Sequence, residues 1–315
     1  MNTKSSSRTA SVIAASQTFM RRDPRMGELI SAPSARYCEI FLSYASKPLA
    51  LISKHAAKPW LRRMIYFIEQ CVLPGIMLHF VLRKCYLREQ VTAAISRGCT
   101  QIVMLGAGFD TLALELCEDF PLVRFFELDH PATQEVKVRA LRSMGFKSRN
   151  LYFIPIDLGS ESLAHGLAAS EAYSIEANTL AIAEGLSMYL ENTAIENLFG
   201  DLKRIGHSTL SILFTFLEPQ GNDGPDFQRS STWLRLALKR WKEPFKWGKG
   251  RTELGLYLAR LGFTVRWITE DDTLATRYLV PLGVLDRPLA KGEFLCAAEL
   301  GESPDADRVL GESAS

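Results

Sequence analysis

Apolar positions recur at three-to-four spacing through roughly the first hundred residues, the period of helices with one buried face. The pattern predicts helices over Thr9–Met20, Ala35–Ser53, Trp60–Cys71 and Gly75–Ser96. Arg97-Gly98 then closes the last of them with a basic residue and a C-cap glycine. At Gln101 the period changes. Gln101–Leu105 is a short, β-branched apolar run bounded by glycine, which reads as a buried strand. Strands and helices alternate from there. Further strands are expected over Val123–Leu128, Leu151–Ile156, Thr179–Ala183, Thr209–Phe216, Phe263–Ile268 and Phe294–Glu299. Helices are expected over Pro131–Met144, Thr193–Ile205, Phe227–Trp241 and Thr252–Leu261.

Such alternation implies an α/β fold: a seven-stranded, mostly parallel sheet, doubly wound because crossovers are right-handed. Residues 1–97 are expected to form a helical N-terminal cap, 98–300 the core, and 301–315 a polar, frayed tail. In a sheet of this kind a ligand lies beyond the carboxyl ends of the strands, where the strand order reverses.

The apolar segment Met64–Leu82 suggests a membrane span. It carries Glu69, Gln70 and His79, however, and Pro74-Gly75 breaks it. A buried helix pair is the expected reading and membrane-surface association its alternative, with no integral span and a cytoplasmic location. Hydrophobic residues at 47% and charged residues at 23% leave room for a sizeable core. A formal charge of +2 gives no electrostatic case for nucleic acid as a partner. None of the six cysteines forms a CxxC pair, so buried thiols are expected rather than a zinc site or a disulfide framework.

The candidate chemistry begins where the first strand runs into Gly106-Ala107-Gly108-Phe109-Asp110-Thr111. Glycines here let the chain turn tightly and approach a ligand closely. A dinucleotide site wants a third glycine where Thr111 stands, so the pyrophosphate fingerprint is incomplete. Asp129 ends the second strand, where a carboxylate can accept hydrogen bonds from ribose hydroxyls. Glu127 is its rival on the same strand face. Asp157 and Leu158 follow the third strand and can meet an adenine ring. Glu184 ends the fourth, where it can meet a positive amino group. Arg88 can grip a carboxylate bidentately or sit on a solvated basic face, and spacing alone does not decide.

Arg88, LGAGFDT (Leu105–Thr111), FELDHPAT (Phe126–Thr133), the Asp157 loop and EGLSMYL (Glu184–Leu190) together resemble the leucine carboxyl methyltransferase family. SRTASVIAASQTF near the start and EPFKWG (Glu243–Gly248) are similar to its bacterial small-molecule O-methyltransferase branch, which includes polyketide-tailoring enzymes. The resemblance implies a Rossmann-like class I methyltransferase fold with S-adenosylmethionine as methyl donor and a small-molecule acceptor. It implies that Arg88 binds the donor's carboxylate and that Gly106, Ala107 and Gly108 line its methionine and ribose portion. Asp129 would bind ribose, Asp157 and Leu158 would frame adenine, and Glu184 would sit near the amino group. Tyr189 falls on the substrate side. His79 and His130 are the histidines considered as a general base, and neither is assigned. The rival classes are a nicotinamide-dependent oxidoreductase and a protein that holds S-adenosylmethionine without turnover.

Overall fold

The computed structural model describes residues 6–206, 210–221, 224–284 and 286–301. Thr209, the expected first residue of the fifth strand, and residues 302–315 of the expected tail lie outside the described residues.

Five helices open the chain: α1 (Arg8–Met20), α2 (Ala32–Ala45), α3 (Lys47–His55), α4 (Pro59–Val72) and α5 (Ile76–Ser96). Ser7 caps α1 by accepting from the Ala10 amide at 3.0 Å, and Ser31 caps α2 in the same way through Ser34. The single helix expected over Ala35–Ser53 is two, broken at Ser46, whose extended backbone precedes Lys47-Pro48. Proline at the second position starts a helix readily and interrupts one badly. Gly75, at φ +79°, turns the chain between α4 and α5, which meet at 88°. No single helix among the described residues is long and apolar enough to cross a membrane.

Alternation then follows: β1 (Gln101–Leu105), α6 (Leu112–Asp119), β2 (Arg124–Asp129), α7 (Pro131–Ser143), β3 (Leu151–Pro155), α8 (Leu163–Ala168) and β4 (Thr179–Ala183). The remainder is α9 (Asn192–Ile205), β5 (Leu210–Leu217), α10 (Thr232–Trp241), α11 (Arg251–Arg260), β6 (Phe263–Ile268) and β7 (Glu293–Leu300). The helix expected from Phe227 begins only at Thr232, where Ser231 caps it through the Leu234 amide. The sheet has seven strands in the order β3-β2-β1-β4-β5-β7-β6. The first five pair in parallel, and β7 runs antiparallel to both β5 and β6. Strand order reverses between β1 and β4, both wholly buried.

One hydrophobic cluster fills each face of the sheet. Helices α8, α9 and α11 cover one face, with Phe199 edge-on to Phe214 and Phe263. The N-terminal helices join the other. There Phe41 of α2 stacks on Phe109 at 5.6 Å, and Phe19, Met20 and Leu42 share the cluster with Phe125 of β2. The cap is therefore packed onto the turn after β1, which is what brings α1 and α5 to the carboxyl ends of the strands.

Candidate active site

A cavity of about 290 Å³ opens at the carboxyl ends of β1, β2 and β4, where the strand order reverses. Its floor is the turn after β1. Gly106 (φ +67°) and Gly108 (φ +51°) hold left-handed backbone that L side chains rarely adopt. A Cβ on Gly106 would stand 2.9 Å from the side chain of Leu186. The amides of Gly106 and Ala107 both donate to the Leu128 carbonyl, at 2.8 and 3.1 Å, which ties the turn to β2.

That tie brings Asp129 against the turn. Its carboxylate accepts from the Gly108 amide at 2.8 Å and from its own neighbour, the His130 amide, at 2.7 Å. Burial raises the Asp129 pKa to about 6, and these two amides restrain the rise. Glu127 does not reach the cavity. It is buried against Lys137 at 2.6 Å, and Lys137 also donates to the Asp110 carbonyl. Burial lifts Glu127 to about 7, and Lys137 opposes it.

A charged cluster forms the opposite wall. Arg83 of α5 pairs with Glu184 at 2.8 Å and with Glu293 of β7 at 2.7 Å. Lys84 bridges Glu184 at 3.1 Å and Asp110 at 3.0 Å. His79 Nε2 lies 2.7 Å from Glu293. Burial disfavours the charges on Asp110 and Glu293, but Lys84 and Arg83 respectively hold both carboxyls well below the usual carboxylate range. Burial of Glu184 prevails over its two cations and leaves its pKa raised. Thr111, at the third-glycine position, is buried and hydrogen-bonded to Ser34 of α2 at 2.7 Å.

The roof is α1. Glu243 reaches from the segment after α10 to accept from the amides of Arg8 and Thr9, at 3.1 and 3.0 Å, and from the Thr9 hydroxyl at 2.6 Å. A carboxylate at a helix N-terminus satisfies free amides and complements the helix dipole. The roof sits close: a Cβ on Gly108 would come within 3.2 Å of Ala10 Cβ. Tyr189, from the short 3-10 turn after β4, packs on Phe245 at 5.6 Å, and burial raises its phenol pKa. His130 is committed to the start of α7, where its Nδ1 accepts from the Ala132 amide at 3.3 Å.

Of the residues singled out in the sequence, Gly106, Ala107, Gly108, Asp129, Asp157, Leu158, Glu184 and Tyr189 all line this cavity. Arg88 does not. It pairs with Glu115 of α6, which also receives the hydroxyls of Ser31 and Thr111, outside the cavity. Five residues along α5 are a rotation of about 140°, so Arg83 and Arg88 point to different neighbours. The cations that α5 brings to the cavity are Arg83 and Lys84, which sequence reasoning passed over in the same basic run. Glu243 and the α1 residues Ser7, Thr9 and Ala10 were missed as well. Their signals were EPFKWG for Glu243 and SRTASVIAASQTF for the others, matching segments in which no single residue had an expected role.

Residues 22–203 match the model of the leucine carboxyl methyltransferase family. The chain belongs to that family. A candidate S-adenosyl-L-methionine-dependent methyltransferase of Mycobacterium marinum is 31% identical over 195 residues, 61% of this chain and 64% of the relative. Another from Frankia alni is 32% identical over 133 residues, 42% of this chain and 44% of the relative. The matched stretches thus span less than two thirds of these relatives' lengths. A crystal structure from Thermobifida fusca, described as a candidate methyltransferase, superposes with a TM-score of 0.56 at 11% identity, over 84% of this chain and 94% of that one. That likeness concerns the fold alone.

Proposed function

We propose that the chain transfers a methyl group from S-adenosylmethionine to an oxygen of a small-molecule acceptor. The observation that carries the reading is the 2.8 Å contact between the Gly108 amide and the Asp129 carboxylate. It joins a bare backbone turn and a ribose-type acid in one cavity, beside charges of both signs. A nucleoside carrying an amino-acid tail and no phosphate suits this set. Asp129 would accept from the ribose hydroxyls, while Asp157 and Leu158 border the adenine. Glu184 would take the tail's amino group and Arg83 with Lys84 its carboxylate, the part that the family resemblance implies for Arg88. The donor supplies a methyl already activated on a sulfonium. The protein's task is then alignment, which can lower a barrier by about 7–11 kcal/mol.

Of the two acceptor types, a carboxylate fits better than a hydroxyl. A hydroxyl benefits from a general base, and the lining residues offer none that is uncommitted: His130 caps α7 and Glu243 holds α1. Lys242 and Lys246, the latter paired with Glu191 at 3.0 Å, line the cavity with Tyr189, and Lys242 can hold an anionic acceptor. Residues 1–97 would act as cap and lid over the donor.

Calorimetric titration with S-adenosylmethionine and with NAD, followed by transfer of a labelled methyl into a metabolite extract, tests the reading. Saturable binding of the former alone and label in an ester are expected. Binding of NAD alone would return the fold to the oxidoreductase class. Donor binding without transfer to any acceptor would leave a binding protein.

A further inference from the structure

Helix α4 carries two apolar stripes, and the fold buries only one. Leu61, Ile65 and Val72 turn toward the protein. Trp60, Met64, Phe67, Ile68 and Cys71 recur at the spacing of a second face, and all are exposed, Trp60 at 62% and Phe67 at 69%. The buried helix pair expected for Met64–Leu82 therefore holds for the first half of α5 and fails for α4. The preceding helix, α3, exposes Leu51 and Ile52. Helix α10 abuts the end of α4, where the Ser231 amide donates to the Val72 carbonyl at 3.0 Å. Its outer side holds Leu236 and Trp233, the latter 72% exposed. So many exposed large apolar side chains on neighbouring elements of the chain mark a candidate interaction site.

Charge selects the partner. Neither α3 nor α10 contains an acidic residue. The one on α4, Glu69, is buried and accepts from the Met77 amide at 2.9 Å. Lys54, Lys58 and Arg63 flank the stripe, and Lys239 and Arg240 extend the basic surface along α10, all exposed. None of these pairs with a carboxylate among the described residues. A second copy would set this positive fringe against itself, which is repulsive. Aromatic and aliphatic side chains with a basic border are what an amphipathic helix presents to the headgroup region of a membrane. The 14 residues of α4 extend about 21 Å, short of the ~30 Å hydrocarbon core, so the helix can lie on a bilayer and cannot cross it.

We propose that the face formed by α3, α4 and α10 docks on an anionic lipid surface, with α4 and α10 in the plane of the interface. Docking of this kind is independent of the chemistry proposed for the cavity. It would bring the cavity rim near the lipid, because α10 runs directly into Lys242, Glu243 and Pro244, which line it.

Co-sedimentation of the full chain with phosphatidylcholine vesicles, with and without phosphatidylglycerol, tests the proposal. Binding is expected only with the anionic lipid, and it should weaken as salt is raised. The double variant Trp60→Ser/Phe67→Ser should lose at least about tenfold in vesicle affinity at an unchanged melting temperature, since both residues are exposed. Arg63→Glu with Lys239→Glu, which leaves the stripe intact, should lose a comparable factor. No binding to the anionic vesicles, or binding that either variant leaves undiminished, overturns the proposal. So does a dimer in light scattering that Trp60→Ser/Phe67→Ser dissociates, which would assign the face to a second copy.

Discussion

Asp129 is the residue on which the donor reading turns, and its environment sets a direction that can be measured. Its carboxyl sits near pKa 6 because burial disfavours the charge. Ribose hydroxyls donate to the ionised form, so below pH 6 the group must give up a proton before it can bind them. Donor affinity should therefore fall as pH drops through 6, by up to about tenfold per unit. Asp129→Asn should weaken S-adenosylmethionine by roughly tenfold to a hundredfold, the value of a charge-assisted hydrogen bond, and flatten the pH profile. Calorimetry at several pH values checks both, and a pH dependence that survives Asp129→Asn would place its origin elsewhere. The cations give a second comparison. Arg88→Ala should leave donor affinity unchanged and cost at most about 1 kcal/mol of stability, as for a partly exposed pair. Lys84→Met should weaken S-adenosylmethionine about tenfold or more while sparing 5′-methylthioadenosine, which lacks the amino-acid tail. Equal losses for both ligands would remove Lys84 from the tail site. The glycines and Asp129 were readable from the chain because each sits at a strand end, and a strand end is a one-dimensional feature. The choice between Arg83 and Arg88 was not, because it depends on which side of α5 faces the cavity. Met77–Arg83 is buried all round, so no polar stripe points the way.

Elements were readable where their period was simple. β1, β4 and β6 begin and end where their apolar runs do. The break between α2 and α3 was hidden because the apolar spacing continues across Ser46, and only Pro48 marks it. The role of α1 was hidden for a different reason. Its N-terminus is held by Glu243, more than two hundred residues away, through a carboxylate that in sequence is one acid among many. That contact is testable. Glu243→Ala removes the acceptor for two amides and a hydroxyl, leaving partly buried donors unsatisfied, and should cost about 1–3 kcal/mol. Because the loss is local, amide exchange over Arg8–Ala15 should rise well before exchange in β1 or β4. Exchange that rises equally throughout would show α1 to be an inseparable part of the core rather than a roof.

At the level of the whole molecule, its buried acids pull in opposite directions with pH. Asp110 and Glu293 are held below their ordinary values, Glu293 at about 2. Between that value and the ordinary 4.5 the unfolded chain binds the extra proton, so their contribution is lost as pH falls through this window. Glu127 and Asp129 are raised, to about 7 and about 6. Between their ordinary values and these the folded chain binds the proton, so stability declines as pH rises through that range. Together the two sets predict a melting temperature that peaks where the windows meet, at the ordinary carboxylate values of about 4 to 4.5, and falls on either side. Asp129→Asn should lessen the fall on the neutral side. Melting curves from pH 3 to 8 on the ligand-free protein check this, and a maximum above pH 7 would mean that Lys137 compensates Glu127 fully. Adding S-adenosylmethionine should move the peak upward, because the same proton that stabilises the empty cavity competes with the donor for Asp129. A molecule so built is at its most stable in a pH range where its proposed donor binds more weakly than at neutrality, and less stable where that donor binds best.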